Sequence, residues 1–304
     1  SLDGAFALVE PDLVIGQGDT TTVLAAGLCS FYRRVPFAHV EAGLRTHDRN
    51  SPFPEEMNRV LVGRRADLHF APTARARGNL LDEGVAASSI EVTGNTVIDA
   101  LVWATPRVDR TRFAAKDGRR TILVTAHRRE SFGPPLDDVC NAVLEIVTAR
   151  EDVEVVFPVH PNPNVRGTVD RVLSKHPRIK LTTPLDYPDF VAAMASCHLV
   201  LTDSGGVQEE APALGKPVLV LRDNTERPEG IDAGTAKLVG TDRRRVVEQT
   251  LRLLDDERAY AAMSQATNPY GDGRAAARIT ARIRRFLGVQ TPASNAERNL
   301  VPTH

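Results

Sequence analysis

Short apolar, β-branched runs recur along the chain. Each is followed by a polar turn and then by a stretch whose apolar residues fall three or four apart. Residues 13–16, 36–40, 68–71 and 90–93 read as strands. Residues 23–34, 55–65, 73–83 and 96–104 read as the helices between them, and residues 1–10 as the end of a helix that precedes the first strand. Residues 106–120 are charged and carry no long apolar face, so they read as a linker. The alternation then restarts, with strands over 121–125, 153–159, 179–181, 199–202, 217–221 and 237–239. Helices are expected over 136–150, 243–255 and 275–286, the last with Arg on one side and Ile or Leu on the other. Strands alternating with helices predict parallel sheets with crossover helices, here in two α/β units.

Composition narrows the class. At 304 residues the chain is long for one core and suits two domains. Its 42% hydrophobic and 25% charged residues are those of a globular protein, and a net charge of −1 argues against a general nucleic-acid or membrane-surface binder. No apolar run approaches bilayer length. Three cysteines, Cys29, Cys140 and Cys197, with no Cys-x-x-Cys pair, argue against disulfides and thiolate metal sites and favour a cytoplasmic setting. A first strand with no strand before it suggests that part of an N-terminal domain lies upstream of Ser1.

The polar residues collect just past strand ends, the edge of an open α/β sheet that binds ligands. Asp203-Ser204-Gly205-Gly206 follows an apolar strand and opens a helix, which presents free N–H groups and the positive end of the helix dipole. A diphosphate fits there, with Ser204, Gly205 and Gly206 around it and Glu210 a turn deeper to accept from a diol such as ribose. Equally, Ser204 could simply cap the helix. His127, followed by Arg128 and Arg129, suits anion binding and leaving-group stabilisation. Arg227, before Pro228, could reach a phosphate. His160 ends another strand and could instead fix its own loop.

The first unit contributes acids. Asp19 follows a strand and could cap a helix starting at Thr20. Glu41 ends a strand, with Arg45 as its alternative partner. Glu55 opens a helix after Pro54, a favourable place for an acid in any protein. Three acids converging on one cleft suit acid/base chemistry on a neutral carbon. No dinucleotide-binding Gly-x-Gly-x-x-Gly follows a strand and no P-loop exists, so no cofactor is expected, and no metal site is read.

These motifs resemble the non-hydrolysing UDP-N-acetylglucosamine 2-epimerases. The likeness rests on Gly18-Asp19-Thr20-Thr21-Thr22, His39-Val40-Glu41-Ala42-Gly43-Leu44-Arg45-Thr46 and Pro54-Glu55-Glu56-Met57-Asn58-Arg59. It also rests on Thr93-Gly94-Asn95-Thr96-Val97-Ile98-Asp99, residues 127–133 and 203–210, Thr225-Glu226-Arg227-Pro228-Glu229, and Asn268-Pro269-Tyr270-Gly271-Asp272-Gly273. The resemblance implies a GT-B type fold of two Rossmann-like doubly wound domains facing across a cleft. It places the N-terminal one, short of its first strands, over 1–110 and the UDP-binding one over 119–272. A helix over 273–288 would return to the first domain, and 289–304 would be a flexible tail. It implies catalytic roles for Asp19, Glu41, Glu55 and His127. Uracil would lie by the Leu185 backbone and Phe190, the diphosphate at Ser204, Gly205, Gly206 and Arg227, and the ribose at Glu210. Arg128 and His160 match positions that contact a second, activating UDP-N-acetylglucosamine. A homodimer making a precursor of cell-envelope polysaccharide is what the family suggests.

The implied reaction is C2 epimerisation of UDP-N-acetylglucosamine by elimination of UDP and re-addition. A GT-B glycosyltransferase, a hydrolysing epimerase and a UDP-sugar sensor share the nucleotide site and remain alternatives.

Overall fold

The computed structural model describes residues 2–115 and 117–289, without the side chain of Glu130. Helix α1 (Leu2–Val9) precedes the first sheet. That sheet comprises β1 (Val14–Gln17), β2 (Phe37–Val40), β3 (Leu68–Ala71) and β4 (Ile90–Val92), all parallel, in the order β1-β2-β3-β4. Helices α2 (Thr21–Tyr32), α3 (Glu55–Arg65), α4 (Ala74–Asp82) and α5 (Thr96–Ala104) make the crossovers and the exit. Thr73 accepts from the Ala76 amide and Asn95 from the Val97 amide, so local capping sets where α4 and α5 begin.

The second sheet is also parallel and has six strands: β5 (Arg120–Thr125), β6 (Val153–Pro158), β7 (Ile179–Thr182), β8 (Leu199–Thr202), β9 (Val218–Val220) and β10 (Ala236–Leu238). Their order is β10-β9-β8-β5-β6-β7. The chain therefore winds outward from β5 to β7, returns, and winds the other way from β8 to β10. The switch point lies between β5 and β8, which pair from Ile122↔Leu199 to Thr125↔Thr202. β8 and β9 are buried throughout and β5 nearly so, as strands covered on both faces must be. The helices of this half are α6 (Pro134–Ala149), α7 (Pro163–Leu173), α8 (Tyr187–Ser196), α9 (Gly205–Ala213), α10 (Pro228–Asp232), α11 (Arg243–Asp255), α12 (Glu257–Ser264) and α13 (Ala275–Phe286).

Four of these, α7, α8, α10 and α12, are absent from the series that apolar spacing suggests. In α7, α8 and α10 a proline in the first turn marks the start of a helix rather than a break, because the first-turn N–H has no intrahelical acceptor to lose. The linker is more ordered than its charge suggests. Two 3-10 turns run through it, Phe113 is buried in the second half's core, and Arg120 already belongs to β5.

Two Rossmann-like halves thus face each other in a GT-B type arrangement, and several elements join them. Leu101 and Ala104 of α5 share a core with Val207 and Ala211 of α9. Ile279 and Ile283 of α13 pack onto Ala38, Val40, Leu68 and Phe70 beneath the first sheet. The Ala275 and Ala276 amides that open α13 donate to Asp99 of α5, at 3.0 and 2.9 Å. Among the described residues no helix is long and apolar enough to cross a membrane. The predicted tail from Gln290 onward lies outside them.

Candidate active site

The switch point brings the ends of β5 and β8 together. The Thr125 and Thr202 hydroxyls lie 2.5 Å apart. The fully buried Asp203 accepts the His127 and Arg128 amides at 2.7 and 2.8 Å, and its other oxygen lies 3.1 Å from His127 Nδ1. Burial alone would raise the Asp203 carboxyl. The His127 ring and the two amides outweigh it and hold the group below its ordinary value. The carboxylate thus faces the Nδ1 side of the ring. The ring is 42% exposed and stacks on His160, with centroids 5.7 Å apart. His160 Nδ1 accepts the Asn162 amide at 3.1 Å, the loop-fixing bond considered above, yet the ring still lines the cavity beside His127.

That cavity is ≈ 300 Å³, and His127, Leu185, Phe190, Ser204, Gly206 and Glu210 are among its walls. Ser204 stands at the N-cap of α9 but makes no side-chain capping bond, so the capping role proposed for it is not taken up. Its amide is turned instead to Thr202 Oγ1 at 2.9 Å. Gly205 has no room for a side chain: a Cβ there would lie 2.3 Å from Arg227 Nη1. The Arg227 guanidinium therefore sits directly against the helix start. Glu210 Oε1 accepts from the Tyr187 hydroxyl at 2.7 Å, and burial raises its carboxyl to about 7.

From the first half Glu41 reaches this site and Asp19 lies near it, and the alternative read for each, a helix cap and a pair with Arg45, is not taken up. Asp19 and Glu41 both have ion-pair partners. Asp19 pairs with Arg59, and its carbonyl accepts from Asn58 at 2.9 Å. It does not cap α2, because Thr20 holds that position. Glu41 is not paired with Arg45, which is taken by Glu83 at 2.7 and 2.8 Å. Instead Glu41 Oε1 accepts from Arg227 Nη2 at 2.7 Å, across the two halves. Glu41 holds φ +65°, a left-handed conformation that turns the chain sharply at the end of β2. Burial raises its carboxyl, and Arg227 works against that rise. Glu55 opens α3 and is half-buried. Its neighbour Glu56 is the structural acid, accepting from the Thr46 and His47 amides and from Arg59.

Arg227 is the crossing point, and two carboxylates unforeseen in the sequence complete its setting. Its Nε donates to Glu209 at 2.5 Å, its Nη1 to Glu226 and its Nη2 to Glu41. Glu226 also accepts from Arg222 at 2.8 Å and lies 3.5 Å from Arg128. Burial would raise Glu226, but Arg227, Arg222 and Arg128 outweigh it and hold it far below the usual carboxylate range. Burial would likewise lower Arg227, and Glu209, Glu226 and Glu41 instead raise it well above its ordinary value. Only their neighbours in space mark Glu209 and Glu226 as buried, and only the fold brings Tyr187 to Glu210.

A family profile described as UDP-N-acetylglucosamine 2-epimerase matches residues 1–284. The UDP-N-acetylglucosamine 2-epimerase of Escherichia coli (strain K12) is 54% identical over 280 residues, 89% of this chain and 74% of that protein. The S. aureus MnaA–UDP co-structure matches with a TM-score of 0.91 at 47% identity, over 96% of this chain and 81% of that one. UDP-GlcNAc 2-epimerase from Neisseria meningitidis, solved bound to UDP-GlcNAc, matches with a TM-score of 0.91 at 41% identity, over 93% of this chain and 79% of that one.

Proposed function

The chain belongs to the UDP-N-acetylglucosamine 2-epimerase family, and from that premise we propose that it interconverts UDP-N-acetylglucosamine and UDP-N-acetylmannosamine by eliminating and re-adding UDP. The observation that carries this reading is the 2.7 Å contact between Glu41 of the first half and Arg227 of the second. Arg227 itself lies against the start of α9. A sugar seated between the halves would then have carboxylates on one side and an anion site on the other.

The chemistry follows from the substrate. The C2 proton of an N-acetylhexosamine is not next to a carbonyl, so it is not acidic by itself. Its removal becomes feasible when the C1–O bond to UDP breaks in the same elimination, the C2–H electrons forming the C1=C2 bond and leaving a 2-acetamidoglucal and free UDP. Re-addition of UDP to C1, with a proton delivered to the other face of C2, gives the epimer and balances the reaction. Asp19, Glu41 and Glu55 are the candidates for moving the proton. Burial raises Glu41 above an ordinary carboxylate, which makes it a stronger base. The departing UDP gains negative charge, and Arg227, His127 and the α9 N-terminus stabilise it. Leu185 and Phe190 would flank uracil, and Glu210 would accept from the ribose hydroxyls. Water would trap the glycal, so the halves close over it.

Several finer readings belong to this proposal: a homodimer in the cytoplasm, a supply of precursor for cell-envelope polysaccharide, and a second UDP-N-acetylglucosamine at Arg128 and His160. The test is incubation of the protein with UDP-N-acetylglucosamine followed by NMR. UDP-N-acetylmannosamine as product supports the reading. Free sugar plus UDP, acceptor-dependent transfer or binding alone points to the hydrolysing, glycosyltransferase or sensor alternative. Glu41→Gln and Asp19→Asn should each lower turnover by about a hundredfold or more while UDP still binds. Full turnover in both would remove these acids from the chemistry.

A further inference from the structure

Two motifs have no part in the reaction as drawn above, Thr93-Gly94-Asn95-Thr96 in the first half and Asn268-Pro269-Tyr270-Gly271 in the second. The fold puts them back to back. A Cβ on Gly94 would lie 3.1 Å from the Cα of Gly271, and one on Gly271 3.1 Å from the Cα of Gly94. The Asn95 amide donates to the Tyr270 carbonyl at 2.8 Å. Tyr270 is fully buried, and its hydroxyl donates to the Arg227 carbonyl at 3.0 Å while accepting the Gly230 amide at 2.9 Å. Asn268 donates to the Glu209 carbonyl at 3.1 Å. The main chain on both sides of the Arg227 guanidinium is therefore held by one junction between the halves.

Glu209 links that junction to the guanidinium. It is fully buried, and both carboxylate oxygens are occupied: Oε1 by Arg227 Nε at 2.5 Å, Oε2 by Asn95 Nδ2 at 2.6 Å. With both oxygens taken and the side chain fully buried, it can act on a ligand only through another residue. Asn95 is committed as well, since its Oδ1 caps α5 through the Val97 amide. Its Nδ2 is thereby turned to Glu209. A buried carboxylate set between an arginine and an amide donor keeps both acceptors satisfied only while both donors stay in place.

We propose that Glu209 is a positioning residue that holds Arg227 for the UDP diphosphate, tied through Asn95 to the first half so that the guanidinium keeps its place only when the halves are correctly docked. The inference rests on the reading of Arg227 as a phosphate ligand. It extends that reading by making the Asn95–Glu209 contact the element that couples domain docking to leaving-group stabilisation. Arg227 Nε and Nη1 are then fixed by Glu209 and Glu226, and Nη2 is the group that a diphosphate can share with Glu41.

Hydrogen-bond complementarity supplies the test. An amide at position 209 cannot accept from both Arg227 and Asn95, so Glu209→Gln breaks one contact. Asn95→Asp keeps the α5 cap but sets two carboxylates against each other. The double variant restores one donor and one acceptor on each side. Each single variant should weaken UDP binding about tenfold by calorimetry and lower kcat by a similar factor or more. The double variant should recover to within a few-fold of wild type. If Glu209→Gln fails to fold, Asn95→Ser keeps a capping oxygen while its shorter side chain withdraws the donor from Glu209, and should show the same loss. A fall in Tm with UDP affinity and kcat per folded molecule unchanged, or no recovery in the double variant, overturns the proposal. Arg227→Ala separates it from its premise. If that variant binds UDP normally, the phosphate reading fails. If it binds weakly while Glu209→Gln binds normally, only the positioning role fails.

Discussion

Glu210 illustrates how burial sets the chemistry of one carboxyl. Its ordinary value is 4.5, and in the folded chain burial pushes it up to about 7, with the Tyr187 hydroxyl pulling the other way. Between those two values the folded chain binds more protons than the unfolded one. Stability from this group is therefore complete below 4.5 and is lost as pH rises toward 7. Glu210→Gln removes that loss. The variant should match wild type near pH 4 and be more stable at pH 8 by up to ~3 kcal/mol in denaturant unfolding. The same variant should bind UDP about tenfold more weakly, because an amide oxygen accepts from a diol less well than a carboxylate. A stability difference that does not change with pH would mean that the carboxyl is ionised throughout. Unchanged UDP affinity would remove the ribose role.

At the scale of elements, α4 and α9 both begin at a hydroxyl residue, but the hydroxyls do different things. Thr73 accepts the Ala76 amide at 3.0 Å and donates to Glu229 of the other half. Ser204 makes no capping bond. Thr73→Ala should therefore cost ~1–2 kcal/mol of stability, while Ser204→Ala should cost less than ~0.5 kcal/mol and instead weaken UDP binding several-fold. Equal stability losses in the two variants would show that Ser204 is an ordinary cap. The missed helices belong to this scale too. In α7, Asn162 caps and Pro163 occupies the first turn. The apolar residues Val165, Val169 and Leu173 face the core at a spacing of four. The periodicity was present in the sequence, and the proline in front of it obscured the start.

For the whole molecule, the return of the chain from the second half to the first is the organising feature. The loop before α13 carries Tyr270 into a fully buried position, where its hydroxyl satisfies both the Gly230 amide and the Arg227 carbonyl. Helix α13 then covers the first sheet through Ile279 and Ile283. Tyr270→Phe leaves two backbone groups in the interior without their partner. It should lower unfolding stability by ~1–3 kcal/mol, and a change within ~0.5 kcal/mol of wild type would show that the hydroxyl does not hold the main chain at the start of α10. By contrast, the Arg75–Asp232 pair also joins the halves, but both side chains are at least half exposed. Arg75→Ala should have little effect, because water screens such a pair.

The sequence by itself determined the α/β class, most strand positions and the clustering of polar residues past strand ends. These depend on local periodicity and on glycine and proline chemistry, which act over a few residues. The tertiary structure alone decided which charges meet. Glu41 and Arg227 are 186 positions apart and Asn95 and Glu209 are 114 apart. The sequence offered Asp19 a helix cap and Glu41 the nearby Arg45, yet Asp19 pairs with Arg59 and Glu41 with Arg227. The physical reason is that a buried charge must be neutralised by whatever the folded chain brings within reach, and that depends on how two sheets pack rather than on any local pattern.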